Sequence, residues 1–278
     1  MNTIVFSHIL NEEDLLPEWL DHHKKLFDHG VIIDYGSTDN SLSIIKNICP
    51  TWEIVKNTEP FGSCVNDIEK QESRFHGWKI ALTIAEFIFI DDLKKFIIDF
   101  ELKYPEKIGI RARSAILVDL DDINLRENIP ILKKHIFGYF EEDTEKFINK
   151  KINYKPQTYV DEKSLIELTA INTHIGIDGR YRLLHKSIKG NYTQGRHGTY
   201  HANIFPRSIG FCKESEIIVC WLGYAPLSLY KKRIKNMNRP RQINFNIDTM
   251  LYYQRQNSYN LLKDSNYKKI YEKLFEDK

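Results

Sequence analysis

Cysteine is scarce in this sequence and is not arranged to bind anything. Cys49, Cys64, Cys212 and Cys220 form no C-x-x-C pair and no metal-ligand spacing. A disulfide framework and a zinc ribbon are thereby excluded, and reduced, mostly buried thiols are expected. No stretch approaches the roughly 18 apolar residues of a membrane span. No early apolar run is flanked like a signal peptide, and TIVFSHIL, starting at residue 3, is needed as a strand. A cytoplasmic protein is the expectation. Internal repeats, low-complexity segments and a clear linker are also missing. Acid is scarce in one region: from Arg180 to Gln242, 13 Lys and Arg meet only Glu214 and Glu216. That region carries +11, and since the whole chain is +2 the remainder carries −9. A cationic half facing an acidic half suggests a polyanionic ligand between them; a solvated basic face is the plain alternative.

What is present describes an ordinary globular α/β protein. The 278 residues are 42% hydrophobic and 28% charged, enough for a sizeable core. TIVFSHIL and GVIIDY read as strands, with Leu16, Leu20, His23 and Phe27 marking one helix face between them and Pro17 near its first turn. GSTDNS is a turn that supplies caps for the helix SLSIIKNIC. WEIVKN is a third strand, NDIEKQESRFHG a polar helix and WKIALTIAEFIFI a fourth strand. DDLKKFIIDFEL follows as a helix with Asp91 and Asp92 at its positive end, and KIGIRARSAILVDL as a further strand. The alternation predicts a mostly parallel sheet with helices on both faces, and a C-terminal helical segment follows from Leu227. Ligands of such sheets sit beyond the carboxyl ends of the strands. His8 to Asn11, Asp34 to Asp39 and Thr83 to Glu86 are therefore expected to be neighbours.

The most specific stretch is SHILNEEDLLPEWLDHHKKLFDHGVIIDYGSTDNS. One strand ends in Asn11-Glu12-Glu13, a helix carries EWLDHH, and the next strand ends in Asp34-Tyr35-Gly36-Ser37-Thr38-Asp39. This resembles the nucleotide-binding start of inverting GT-A glycosyltransferases of the family 2 type and family 92-like relatives. The resemblance is close over residues 3 to 45 and looser, but in order, to about residue 250. It implies a GT-A-like, Rossmann-like fold in a single domain. Residues 1–120 would form the nucleotide-binding half, 121–226 the acceptor and phosphate-loop half, and 227–278 the C-terminal helices. It also implies that Asp34 accepts a hydrogen bond from the base and that the backbone of His8 to Asn11 lines the ribose, with Ser37, Thr83 and Ala85 completing the nucleotide site. The alternative for Asp34 and Asp39 is that they only cap the turn and the next helix.

The same resemblance exposes a departure. The fourth strand of these relatives reads W-x-x-x-x-D-x-D-E-F, and Trp78, Glu86 and Phe87 align on it. The two metal-site aspartates then fall on Thr83 and Ala85. Alanine cannot ligate Mg²⁺ or Mn²⁺, and threonine does so weakly without carboxylate partners. No metal ligands are assigned, and dependence on Mn²⁺ or Mg²⁺ is put in doubt. A leaving diphosphate still needs positive charge opposite it. RYRLLHKSIKGNYTQGRHGTYH, Arg180 to His201, carries none of the acids and reads as the source, with Lys186, Arg196, His197 and His201 as the diphosphate-binding set. A zinc site from His185, His197 and His201 competes with this, although no nearby Glu or Cys completes it. Stacking of nucleic-acid bases on Tyr181, Tyr192, Tyr200 and Phe205 is a third reading.

Inverting transfer needs a general base. Glu86, retained beside the lost aspartates, and Asp178, in the turn before the basic segment, are the two candidates, and the sequence does not choose between them. The whole reads as a glycosyltransferase moving a sugar from a UDP- or GDP-sugar to a hydroxyl of a glycan or lipid-linked acceptor. No nucleic-acid partner is expected, and KKRIKNMNRPR could touch an anionic membrane surface. The rivals are a GT-A-fold binding protein without turnover and a nucleic-acid-binding protein using the basic half.

Overall fold

A computed structural model describes residues 1–57, 64–118, 137–140, 181–192, 209–211, 217–222 and 232. The first half alternates strand and helix: β1 (Thr3–Ile9), α1 (Leu16–His23), β2 (His29–Asp34), α2 (Ser41–Ile48), β3 (Glu53–Lys56), α3 (Cys64–Glu72) and β4 (Trp78–Ala81). Then come β5 (Glu86–Phe89), α4 (Leu93–Lys103) and β6 (Gly109–Val118). The remaining strands among the described residues are β7 (Phe137–Phe140), β8 (Tyr181–His185), β9 (Ile209–Phe211) and β10 (Ile218–Trp221).

All of them join one sheet in the order β3-β2-β1-β4-β8-β6-β10-β5, with β7 and β9 also paired to β6. The block β3-β2-β1-β4 is parallel throughout. β8 enters antiparallel between β4 and β6. Strand β6 is the long member: Gly109 to Arg113 pair with β8, whereas Arg113 to Ile116 pair with β10. The sheet is thus mixed α/β with a parallel four-strand block, as the alternation predicted.

Burial explains the strand sequences. Every residue of β1 is buried, because both faces of this central strand are covered. Val5, Ile9 and Ile32 pack under Leu16, Trp19, Leu20, Ile45 and Ile97 from α1, α2 and α4. Ile4, Phe6, Val31 and Ile33 face Ile68 of α3, together with Leu183 and Tyr192. Gly30 has to be glycine, since a Cβ there would meet the Trp52 ring at 2.1 Å. The helix starts also follow sequence chemistry. Pro17 lies in the first turn of α1, Asp39 accepts from Ser41 N at 3.0 Å before α2, and Asp92 accepts from Lys95 N at 2.9 Å at the start of α4.

The expected fourth strand is a correction. WKIALTIAEFIFI is two strands: β4 stops at Ala81, Leu82 to Ala85 form a turn, and β5 pairs antiparallel with β10 at the far edge of the sheet. A continuous apolar run cannot disclose such a break, because most of both pieces and of the turn between them is buried. The other edge of β5 is held by side chains of α1. Trp19 Nε1 donates to Glu86 O at 2.9 Å, His22 Nε2 bonds Ile88 O at 2.7 Å, and Ile88 N donates to His23 Nε2 at 3.4 Å. The EWLDHH motif thereby gives an edge strand the partners that a neighbouring strand would otherwise supply. His23 is fully buried. Burial first, then His22, hold its pKa well below the usual value.

Candidate nucleotide-binding site

The strand order places a crevice. From β1 the chain crosses to β2 on one side, and from β3 it returns to β4 on the other. The carboxyl ends of β1 and β4 are therefore the switch point at which open α/β sheets receive ligands. The loops that leave β1 and β2 meet there, since Ile9 pairs with Asp34.

These loops are knit by short polar side chains. Asn11 adopts a left-handed backbone, φ 58°, a conformation that Asn tolerates better than most residues. In it, Asn11 N donates to Ser37 Oγ at 3.1 Å, and Asn11 Oδ1 accepts from Thr38 N at 2.7 Å and Asp39 N at 3.3 Å. Glu12 N reaches Ser41 Oγ at 3.0 Å, Glu13 N reaches Asp39 Oδ2 at 3.1 Å, and Glu13 Oε2 accepts from Asn40 N at 3.0 Å. Burial raises the Asp39 pKa, but the Ser41 hydroxyl and amide, Glu13 N and the Lys232 charge outweigh it and leave it below the ordinary value. Gly36 has φ 88°, with nothing within 4 Å of where a Cβ would stand. That backbone is open to an approaching ligand.

Asp34 is buried at the end of β2, with Oδ1 accepting from Ser37 N at 2.9 Å. His8 lies at the same end of β1, edge-on to the Tyr35 ring with centroids 6.4 Å apart. Tyr35 donates its hydroxyl to Asp67 of α3, and burial followed by this bond pushes the phenol pKa up. Neither Tyr35 nor Asp67 was singled out from the sequence. The signal available was position alone, Tyr35 following Asp34 directly.

The third strand-end, Leu82 to Glu86, is tied in by Leu82 N donating to Phe6 O at 2.9 Å. His8 to Asn11, Asp34 to Asp39 and this turn are thus gathered at one end of the sheet. Their individual roles need correction. Ala85 is fully buried in the core and its carbonyl accepts from Leu222 N at 2.8 Å, so it has no surface to offer a nucleotide. Thr83 N donates to Glu86 Oε2 at 2.7 Å, and among the described residues its buried hydroxyl has no partner. Glu86 is 4% exposed and forms a buried ion pair with Arg182 through Oε1. With one oxygen on a guanidinium and the other on an amide, Glu86 is badly placed to take a proton from an acceptor. The turn also does not fit a divalent ion: Thr83 and Ala85 bring no carboxylate, and Glu86 is already neutralised by Arg182. Among the described residues no three His, Cys, Asp or Glu side chains gather into a metal site.

Lys186 is the clearest displacement. β8 runs antiparallel to β4, so Lys186 emerges at the amino end, beyond the pair His185 with Lys79. Its ammonium lies 3.0 Å from Glu101 and over the Trp78 ring. Trp78 is level with Thr3, and six residues of strand, roughly 20 Å at ~3.3 Å each, separate that level from Ile9. Lys186 therefore cannot serve a diphosphate at the carboxyl end. His185 is buried against Glu72, Tyr192 and Ser187, and among the described residues no His or Cys joins it in a zinc set. Asp178, Arg196, His197 and His201 lie outside the described residues. One basic residue of the C-terminal region does reach the site loops: Lys232 Nζ is 2.5 Å from Asp14 and 3.8 Å from Glu13.

No family model and no curated protein sequence matches the chain. Among solved structures it is similar to TarS residues 1–349 of S. aureus, at 12% identity over 98% of this chain and 77% of that one, TM-score 0.37. It is also similar to glucosyl-3-phosphoglycerate synthase of Mycobacterium tuberculosis in complex with Mn²⁺, UDP and glucosyl-3-phosphoglycerate: 9% identity, 88% and 81% coverage, TM-score 0.44. A third is a putative glucose-1-phosphate thymidylyltransferase of Bacillus anthracis, at 12% identity, 88% and 97% coverage, TM-score 0.42. The chain spans 22% and 38% of the length of two further TarS structures, the second in complex with UDP. Likeness of this degree fixes neither activity nor ligand. Among the described residues no helix is long and apolar enough to cross a membrane.

Proposed function

We propose that the chain is a GT-A-type glycosyltransferase that binds a nucleotide-sugar at the carboxyl ends of β1, β2 and β4 and transfers the sugar, with inversion, to a hydroxyl acceptor. The observation that carries this reading is Asp34, a buried carboxylate at the switch-point crevice, flanked by the open turn at Gly36 and the Asn11 staple. A carboxylate there can accept from the N–H edge of a nucleobase, while the backbone of His8 to Asn11 borders the ribose.

In the reaction the bond between the sugar's anomeric carbon and the β-phosphate oxygen breaks, and its electron pair leaves with the nucleoside diphosphate. The acceptor oxygen forms the new bond from the opposite face, and its proton passes to a base. With Glu86 held by Arg182, Asp178 is the proposed base. Arg196, His197 and His201 are the proposed partners of the departing diphosphate, in place of a divalent ion. A UDP- or GDP-sugar donor, a glycan or lipid-linked acceptor and a cytoplasmic site of action complete the proposal.

The neutralised Glu86 and the buried Ala85 also favour a second reading, a nucleotide-binding protein without turnover. A thermal-shift panel of nucleoside diphosphates and nucleotide-sugars, with EDTA and with Mn²⁺, tests both. Stabilisation by a nucleotide-sugar in EDTA is expected, and sugar release or transfer then separates enzyme from binder. Binding that EDTA abolishes and Mn²⁺ restores would overturn the metal-free site. No shift with any nucleotide, but tight salt-dependent RNA or DNA binding, would overturn the nucleotide-sugar reading.

A further inference from the structure

A buried ion pair stands beside the crevice and takes no part in the proposed bond changes. Register fixes where its arginine points. In β8, Leu183 and His185 share the face of the sheet covered by α3, with Arg111 of β6 and Lys79 of β4 opposite them. Arg182 and Leu184 take the other face, where Ile80, Ala112 and Leu184 pack in the same core as Leu16 and Trp19 of α1. Arg182 is 4% exposed, and it lies across the sheet from Lys79, Arg111 and His185. It donates from Nη2 to Oε1 of Glu86, which is equally buried.

The other oxygen of that carboxylate acts on the turn after β4. Thr83 N donates to Glu86 Oε2 at 2.7 Å, and Glu86 N donates back to Thr83 O at 2.9 Å. Both donors to the carboxylate, an amide and a guanidinium, have N–H directions that follow from their heavy atoms. Three further bonds fasten the ends of the turn: Leu82 N to Phe6 O at 2.9 Å, Leu222 N to Ala85 O at 2.8 Å and Trp19 Nε1 to Glu86 O at 2.9 Å. Among the described residues the Thr83 amide itself is held by Glu86. Phe6 pairs with Ala81, which puts Thr83 level with His8 at the crevice. Between β4 and β5 the chain passes β8, β6 and β10 within the four residues Leu82 to Ala85, and Arg182 comes from the first strand passed. A cation is needed there, because a buried carboxylate bonded to an amide alone would carry an uncompensated charge.

We propose that Arg182 is a positioning residue for the nucleotide-sugar: through Glu86 it holds Thr83 and the turn after β4 in the shape that borders the donor beside His8. This rests on the nucleotide-sugar reading and adds a residue to it. With the pair in place, the turn is ready before the ligand arrives. Without it, the bound shape is one of several, and affinity falls by the fraction of time that the turn spends in it.

The test removes both charges at once, since a single change would strand the partner. In the full chain, Glu86→Leu with Arg182→Met puts apolar side chains in place of the pair, and water can take the Thr83 amide because Thr83 is only half-buried. The denaturant midpoint should equal or exceed that of the wild type. Calorimetric affinity for UDP or GDP, whichever the wild type binds, should nevertheless fall about tenfold, and hydrogen exchange at the Thr83 amide should quicken by a similar factor. Unchanged affinity at an unchanged midpoint would overturn the positioning role, as would a fall in midpoint that tracks the loss of affinity. Arg182→Lys keeps a cation against Glu86 but loses the fixed fork, so affinity should fall by a smaller factor. This variant decides the matter if the double variant does not fold: wild-type affinity with slow exchange at Thr83 would overturn the proposal. Failure of the wild type to bind either nucleotide would instead overturn the nucleotide-sugar reading. Exchange at Thr83 would then judge the brace by itself, and an unchanged rate would sink it.

Discussion

At the carboxyl end of the sheet, short side chains catch backbone amides; at the amino end, whole charges are buried. Asn11, Ser37, Asp39 and Glu13 tie the loops after β1 and β2 through neutral or partly exposed contacts and leave Gly36 open. Glu72, Lys79 and His185 are shut off from water and find hydrogen-bond partners inside the protein. The difference separates two uses of polar chemistry. A ligand site needs some open surface beside its polar groups, which the turn at Gly36 leaves next to Asp34, whereas groups that fix a turn are most effective when water cannot compete for them. Substitutions at the amino end should therefore change stability with little effect on ligand affinity, and those at the carboxyl end the reverse.

The sharpest break is expected at Glu72. Glu72→Ala strands Lys79 and His185 without their buried carboxylate and orphans Gly190 N, which should cost about 3–5 kcal/mol in denaturant unfolding. Nucleotide affinity of whatever remains folded should match the wild type. A loss under 1 kcal/mol would show that Glu72 does not hold the amino end of the sheet together.

Arg196→Ala tests the proposed partner of the departing diphosphate. Turnover should fall around 10²-fold, about 3 kcal/mol, with a smaller change in KM and none in unfolding free energy, and Arg196→Lys should recover part of the loss. Three similar kcat values would remove the diphosphate role.

Asp34→Ala comes next. The loss of a charge-assisted bond to the base should weaken nucleotide binding by about 1.5–3 kcal/mol, tenfold or more by calorimetry. Because Asp34 Oδ1 also holds Ser37 N, Asp34→Asn is the companion: it can keep the turn while changing what the base meets. Equal affinities for all three proteins would count against the site.

The smallest effect is expected at the surface, where Lys232 meets the loop after β1. Lys232, 2.5 Å from Asp14, is more than a third exposed. Lys232→Ala should cost no more than about 1 kcal/mol, and the difference should shrink in high salt. A large, salt-insensitive loss would mean that this contact is part of the binding site.

Local chemistry made much of the frame legible. Strand and helix alternate in the sequence as they do in the fold, because hydrophobic periodicity and caps act within a few residues. β1, β2, α1, α2 and α4 lie where TIVFSHIL, GVIIDY, the Leu16–Leu20–His23 face, SLSIIKNIC and DDLKKFIIDFEL placed them. The meeting of the three strand ends followed from parallel topology. What pattern could not reach was pairing between distant residues. The break at Leu82 to Ala85, Arg182 across from Glu86, and Lys186 at the far end from Asp34 depend on which strand lies beside which and in which direction. Glu72 and His185, 113 residues apart, find each other only once β8 has inserted antiparallel beside β4. Direction reverses which end of a strand a residue serves, and nothing in the local composition of RYRLLHK records it.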